Sequence, residues 1–125
     1  MNTFEGIYTP LERDAMIKKE LKRLGKISKE LDESKRAVFE KLINEAAFLA
    51  VTLEETRLII VRDGVIEEYQ NGANQRGLKK SSAVEVYDKS INTYAKIIDQ
   101  INKLLPDNKT TDPGEAILKF ALGKK

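Results

Sequence analysis

The chain has 125 residues and contains no cysteine, no histidine and no tryptophan. This excludes a disulfide framework, thiolate or imidazole metal sites, and Ser–His or Cys–His nucleophiles. Charged residues are 34% and aromatics 6%, against about 25% charged in an ordinary globule, which suits long exposed helices better than a sandwich or barrel. The net charge of +2 says little; the distribution of charge says more. No apolar run approaches the roughly 18 residues of a membrane span, and Met1 to Thr9 lacks the basic and apolar regions of a signal peptide, so a cytoplasmic protein is expected.

In chain order, Thr9-Pro10-Leu11-Glu12 is a helix start, with Thr9 at the cap, Pro10 at the first helical position and Glu12 completing a capping box. This helix is predicted to run to about Leu24, with Gly25 stopping it in the left-handed conformation. Leu11, Ile17, Leu21 and Leu24 form its narrow apolar stripe. Ile27 to Leu31 reads as a short connection of about one helical turn. Asp32 or Ser34 then opens a helix from about Glu33 to Val61, a rod of roughly 43 Å, ended by Asp63-Gly64. Its Phe39, Leu42, Ala46, Leu49, Leu53, Thr56 and Ile60 follow a strict 3,4 alternation. Phe48, Ala50, Val51, Leu58, Ile59 and Val61 add apolar surface beside that stripe, so burial on more than one side is expected.

A connector containing Asn71-Gly72, a strong turn signal, leads to a third helix from about Ser82 to Leu105, stopped by Pro106. Ser81 or Ser82 is its expected cap, with Glu85 as box partner. Val84, Tyr87, Ile91, Tyr94, Ile98, Ile101 and Leu105 repeat the 3,4 spacing, about three heptads of a packing seam. Asp107 to Thr111 reads as a flexible linker. Asp112-Pro113-Gly114-Glu115 then introduces a short amphipathic helix bearing Ile117, Leu118, Phe120 and Leu122, which needs a surface to dock on. The expected fold is all-α: a long antiparallel helical hairpin (32–106), preceded by a basic helical segment (1–31) and followed by the linker and docking tail (107–125). The apolar width of residues 46 to 61 exceeds what one short helix covers, which points to self-association through the hairpin.

No Walker, GxGxxG or nucleophile-elbow pattern is present, and no cofactor or metal is expected. The acid pairs Glu54-Glu55 and Glu67-Glu68 read as solvated charges, because neighbours on a helix do not face each other. Two basic clusters stand out: Lys18, Lys19, Lys22, Arg23, Lys26 and Lys29 against the single acid Glu20, and Arg76, Lys79 and Lys80 in a window without acids. Either suits phosphate contact; ordinary solvated surface is the rival account of both. Asn74 and Gln75 beside the second cluster carry amides able to pair with adenine edges or with the loop's own backbone.

The stretch EEYQNGANQRGLKKSSAVEVYDKSINTYAKIIDQINKLLP resembles the small terminase subunits of tailed bacteriophages, in the family common in phages and prophages of Gram-positive bacteria. Tyr69, Asn71-Gly72, Asn74, Lys79-Lys80, Ser81, Glu85 and Tyr87 carry the likeness, which spans roughly residues 35 to 105. Asp112-Pro113 also looks like the opening of that family's C-terminal end. Ser82 stands where such proteins commonly place proline, and the basic N-terminal segment matches only loosely. The resemblance implies a protein that is not an enzyme. Such proteins assemble as rings, recognise the packaging site on viral double-stranded DNA in the cytoplasm of the infected host, and modulate the ATPase and nuclease of the large terminase subunit. The loop cations would line a rim or channel of the ring, and the tail would dock the large subunit. Two rivals remain: a helical adaptor without a nucleic-acid role, and a dimeric DNA-binding regulator, which the length of the second helix disfavours.

Overall fold

The computed structural model describes residues 6–70, 72 and 75–105. Helix α1 spans Pro10–Gly25 and passes into a 3-10 helix, Lys26–Glu30. The long helix α2 (Glu33–Asp63) is followed by strands β1 (Ile66–Gln70) and β2 (Arg76–Lys80) and by α3 (Ser82–Leu104). Among the described residues the chain is therefore mostly helical, roughly as the all-α reading expects, with a small two-stranded sheet that reading did not include. Pro106, the linker from Asp107 to Thr111, and the docking residues Ile117, Leu118, Phe120 and Leu122 lie outside the described residues, as do Asn71 and Asn74.

Local signals account for most element boundaries. At the start of α1, Thr9 Oγ1 accepts from the Glu12 amide at 3.1 Å while Glu12 Oε1 accepts from the Thr9 amide at 2.8 Å, a reciprocal capping box. Gly25 does not stop the helix in the left-handed region: its φ is −64°. The chain instead tightens into the 3-10 turn, where Ser28 Oγ donates to the Gly25 carbonyl at 2.8 Å. Arg36 Nη2 donates to the Leu31 carbonyl at 2.8 Å and so braces the corner between the 3-10 helix and α2. Asp32 caps α2, accepting from the Lys35 amide and from Ser34 Oγ. These bonds, the backbone one first, hold its carboxyl below its ordinary pKa. The helix ends where Gly64 takes a φ of +88° and returns its N–H to the Ile60 carbonyl at 2.7 Å. Ser81 caps α3 through a bond from the Val84 amide. Since Val84 occupies the third position, Glu85 does not complete a box there.

The main core joins Leu24 and Leu31 with Phe39, Ile43 and Ala46 of α2 and Ile98 and Ile101 of α3. The early turns of α2 thus share a core with the last turns of α3. Phe39, Ile98 and Ile101 are fully buried. Leu42, Leu53, Ile60, Val84, Tyr87 and Tyr94 are half-buried, and Leu49 is buried. Ile91 departs from the expected seam with 39% exposure, and Leu11 is not part of an apolar stripe at all, being 83% exposed. Leu11 stands in the first turn of α1, while the covered positions of that helix, Leu21 and Leu24, lie towards its other end. Thr56, the polar member of the α2 stripe, is buried but satisfied within its own helix, donating to Thr52 O at 2.8 Å. The second apolar side of α2 is partly covered by α1; Phe48, Leu58 and Val61 stay exposed.

Between α2 and α3 the antiparallel strands pair Ile66 with Lys80, Glu67 with Lys79, Glu68 with Leu78, Tyr69 with Gly77 and Gln70 with Arg76. Val65, Ile66 and Tyr69 have the β-branched and aromatic side chains that favour extended backbone. Gly77 is opposite Tyr69 for a steric reason: a Cβ there would lie 2.8 Å from the tyrosine ring. Ser81 N–H donates to the Val65 carbonyl at 2.9 Å and closes the base of the ribbon.

Candidate nucleic-acid interface

The N-terminal cations divide into two sets. Lys18 pairs with Asp14 at 3.0 Å one turn earlier. Arg23 makes a two-point contact with Glu20, Nε to Oε1 at 3.0 Å and Nη2 to Oε2, and this bond raises its already high pKa. The pair lies close to Tyr94 of α3, whose phenol is pushed up by burial and then by Glu20.

Lys19, Lys22, Lys26 and Lys29 are exposed and have no ion pair among the described residues. Lys19, Lys22 and Lys26 are spaced three and four apart, which places them on one side of the helix. They border an open groove between α1 and α2 whose floor is Met16, Ala50 and Val51. Glu20 and Glu54 also line it, so its cationic character comes from one rim.

The second cluster is less bare than the sequence suggests. Lys79 reaches Glu67 across the ribbon at 3.5 Å, and Lys80 reaches Asp88 on α3 at 3.6 Å. Local acids in the sequence window are absent, but strand pairing and the first turns of α3 bring acids in from outside it. Arg76 is exposed opposite Gln70. The two basic clusters are not brought together. Ala50, beside the first, and Gly64, at the foot of the ribbon, are about 21 Å apart along α2 at 1.5 Å per residue.

Glu55 overturns the reading of Glu54-Glu55 as two solvated acids. Glu54 is exposed, whereas Glu55 is buried. Glu55 Oε1 accepts from Arg13 Nε at 2.7 Å, and Oε2 accepts from Arg13 Nη2 at 2.9 Å and from the amides of Ile7 and Tyr8 at 2.7 and 3.0 Å. The Arg13 guanidinium, aided by the two amides, pulls the Glu55 carboxyl down to about 2 against the opposing effect of burial. Gly6 closes the arrangement, because a Cβ there would collide with Arg13 Nη2 and Glu55 Oε2. The acid is structural: it fastens the segment before α1 onto α2. A sequence reading misses it, because its partners are more than forty positions away.

Among the described residues, no group of three or more acids could hold a metal ion, and no helix is long and apolar enough to cross a membrane. No family model matches the chain, and no curated protein or solved structure matches it significantly.

Proposed function

We propose that this chain is a small terminase subunit: a protein without catalytic activity that recognises viral double-stranded DNA at the packaging site. It assembles as a closed homo-oligomer through an antiparallel hairpin of α2 and α3. It regulates the ATPase and nuclease of the large terminase subunit in the cytoplasm of the infected bacterium. The resemblance of residues 35 to 105 supplies the family. The observation that carries the DNA reading is the row Lys19, Lys22 and Lys26, exposed along one groove edge and without ion pairs among the described residues. A row of three lysines binds duplex DNA weakly by itself, but repetition around a ring multiplies its effect through effective concentration.

The test has two measurements on the full chain: native mass in solution, and affinity for duplex DNA across a salt series. A closed assembly of several copies with affinity falling steeply in salt is expected. A monomer, or affinity indifferent to salt, overturns the reading. Exposed Phe48, Leu58 and Val61 on α2 favour one rival, a helical adaptor that binds another protein and has no affinity for DNA.

A further inference from the structure

The ribbon is the feature that the preceding reading leaves unexplained. Among the described residues, neither strand packs along a helix. Ile66, Tyr69 and Leu78 are 55%, 44% and 69% exposed. A two-stranded hairpin is marginal in water without further strands or a covering helix, and each strand presents an open edge of backbone donors and acceptors.

Its charges are sorted by strand. β1, IEEYQ, carries Glu67 and Glu68 and no cation. β2, RGLKK, carries Arg76, Lys79 and Lys80 and no acid. Charges that serve only to keep an edge unpaired need no such segregation by sign. A surface built for DNA alone would not place two acids on one of its two strands.

We propose that the ribbon is a self-association element in which the outer edge of β2 in one copy pairs with the outer edge of β1 in the next. The occupant of each open edge is thus a second copy of this chain. Because β1 and β2 are antiparallel within a copy, β2 meets the neighbour's β1 in the antiparallel sense, and the order β1-β2-β1-β2 continues one sheet. Charge selects this pairing. β1 against β1 sets acids against acids and β2 against β2 sets cations against cations, both destabilising across strands, whereas β2 against β1 sets lysines against glutamates. The contact uses two different edges, so it is heterologous, the kind that propagates into a ring. The exposed side chains of Ile66 and Leu78, which share one face of the ribbon by register, join those of the neighbour across the seam. This inference rests on the self-association in the proposed function and not on its DNA role.

The test is a charge-swapped chain, Glu67→Lys, Glu68→Lys, Arg76→Glu and Lys79→Glu. Lys80 is kept because it faces Asp88. The swap preserves opposite charges at the Glu67–Lys79 pair within the copy, so the ribbon keeps its internal pairing. Wild type and swapped chains are each expected to assemble alone. When the two are unfolded together and refolded as a mixture, native mass spectrometry should find mixed oligomers about tenfold below the statistical level, since every mixed seam opposes like charges. Mixed oligomers at the statistical level overturn the edge pairing while leaving the DNA reading standing. A monomeric wild type overturns both. Free mixing accompanied by loss of DNA affinity in the swapped chain would assign the ribbon to nucleic acid, and would also overturn the proposal.

Discussion

Arg13 and Glu55 meet side on, Nε to Oε1 at 2.7 Å and Nη2 to Oε2 at 2.9 Å, joining the first turn of α1 to the later half of α2. The same carboxylate accepts the amides of Ile7 and Tyr8. Glu55→Ala therefore leaves Arg13 and two backbone donors without their acceptor. Urea unfolding should show a loss of about 2 kcal/mol, the scale of charge-assisted hydrogen bonds. Glu54→Ala, on the exposed neighbour, should stay within about 0.5 kcal/mol of wild type.

The same carboxylate gives the fold an acid sensitivity. Glu55 has its pKa lowered from 4.5 to about 2 in the folded chain. Its contribution is whole above pH 4.5 and disappears as the pH falls toward 2, where the folded state must also take up the proton. Asp32 and Asp63 shift in the same direction through their own bonds, led by the Lys35 amide and by Arg62 respectively. Thermal unfolding followed from pH 6 down to pH 2 should lose stability across this window. The Glu55→Gln variant, less stable at neutral pH, should show a shallower decline; an unchanged profile would remove Glu55 as its main source.

Ile91 and Ile98 occupy equivalent positions of the 3,4 repeat, yet one is 39% exposed and the other fully buried. Ile98→Ala should destabilise by about 4 kcal/mol, as large-to-small core changes do. Ile91→Ala should cost less than about 1 kcal/mol in a monomer. A large effect of Ile91→Ala on native mass, rather than on monomer stability, would place that residue in a contact between copies.

Among the described residues, the lysine row without ion pairs differs from the paired cations. Lys19→Ala, Lys22→Ala and Lys26→Ala together should lower the salt slope of DNA binding by about three, one for each lost phosphate contact. Lys18→Ala should change it little, because that lysine already faces Asp14 at 3.0 Å. Equal effects from all four would mean that the pairing with Asp14 gives way to phosphate.

Tyr69 covers Gly77 on the neighbouring strand, a form of aromatic support for a strand glycine. Tyr69→Ala should accelerate amide hydrogen exchange in Ile66–Gln70 and Arg76–Lys80 while leaving the core turns around Phe39 and Ile98 unchanged. Exchange accelerated equally throughout α2 and α3 would contradict the ribbon's independence from the helical core.

The helices were legible because their signals act over three or four residues. The Thr9–Glu12 box, the Asp32 cap, the Gly64 stop and the Ser81 cap are each made by near neighbours, and the 3,4 repeat locates Phe39, Ile98 and Ile101 without any knowledge of the fold. The ribbon was only half legible. Asn71-Gly72 marks a turn, but five-residue strands beside helices of 31 and 23 residues carry too short a period to compete with the helical pattern.

The lysine row is written in the sequence, yet local composition does not distinguish Lys19, Lys22 and Lys26 from Lys79, whose Glu67 partner arrives only through strand pairing. Sequence by itself determined where helices begin and end and which stripe of each is apolar, because capping and periodicity are local. Tertiary structure alone decided that Glu55 is buried while Glu54 is exposed, that Ile91 is wetter than Ile98, and that Lys79 faces Glu67 across the ribbon. Those outcomes depend on groups distant in sequence, such as Arg13 and Glu55 at 42 positions, which become neighbours only when α1 packs on α2.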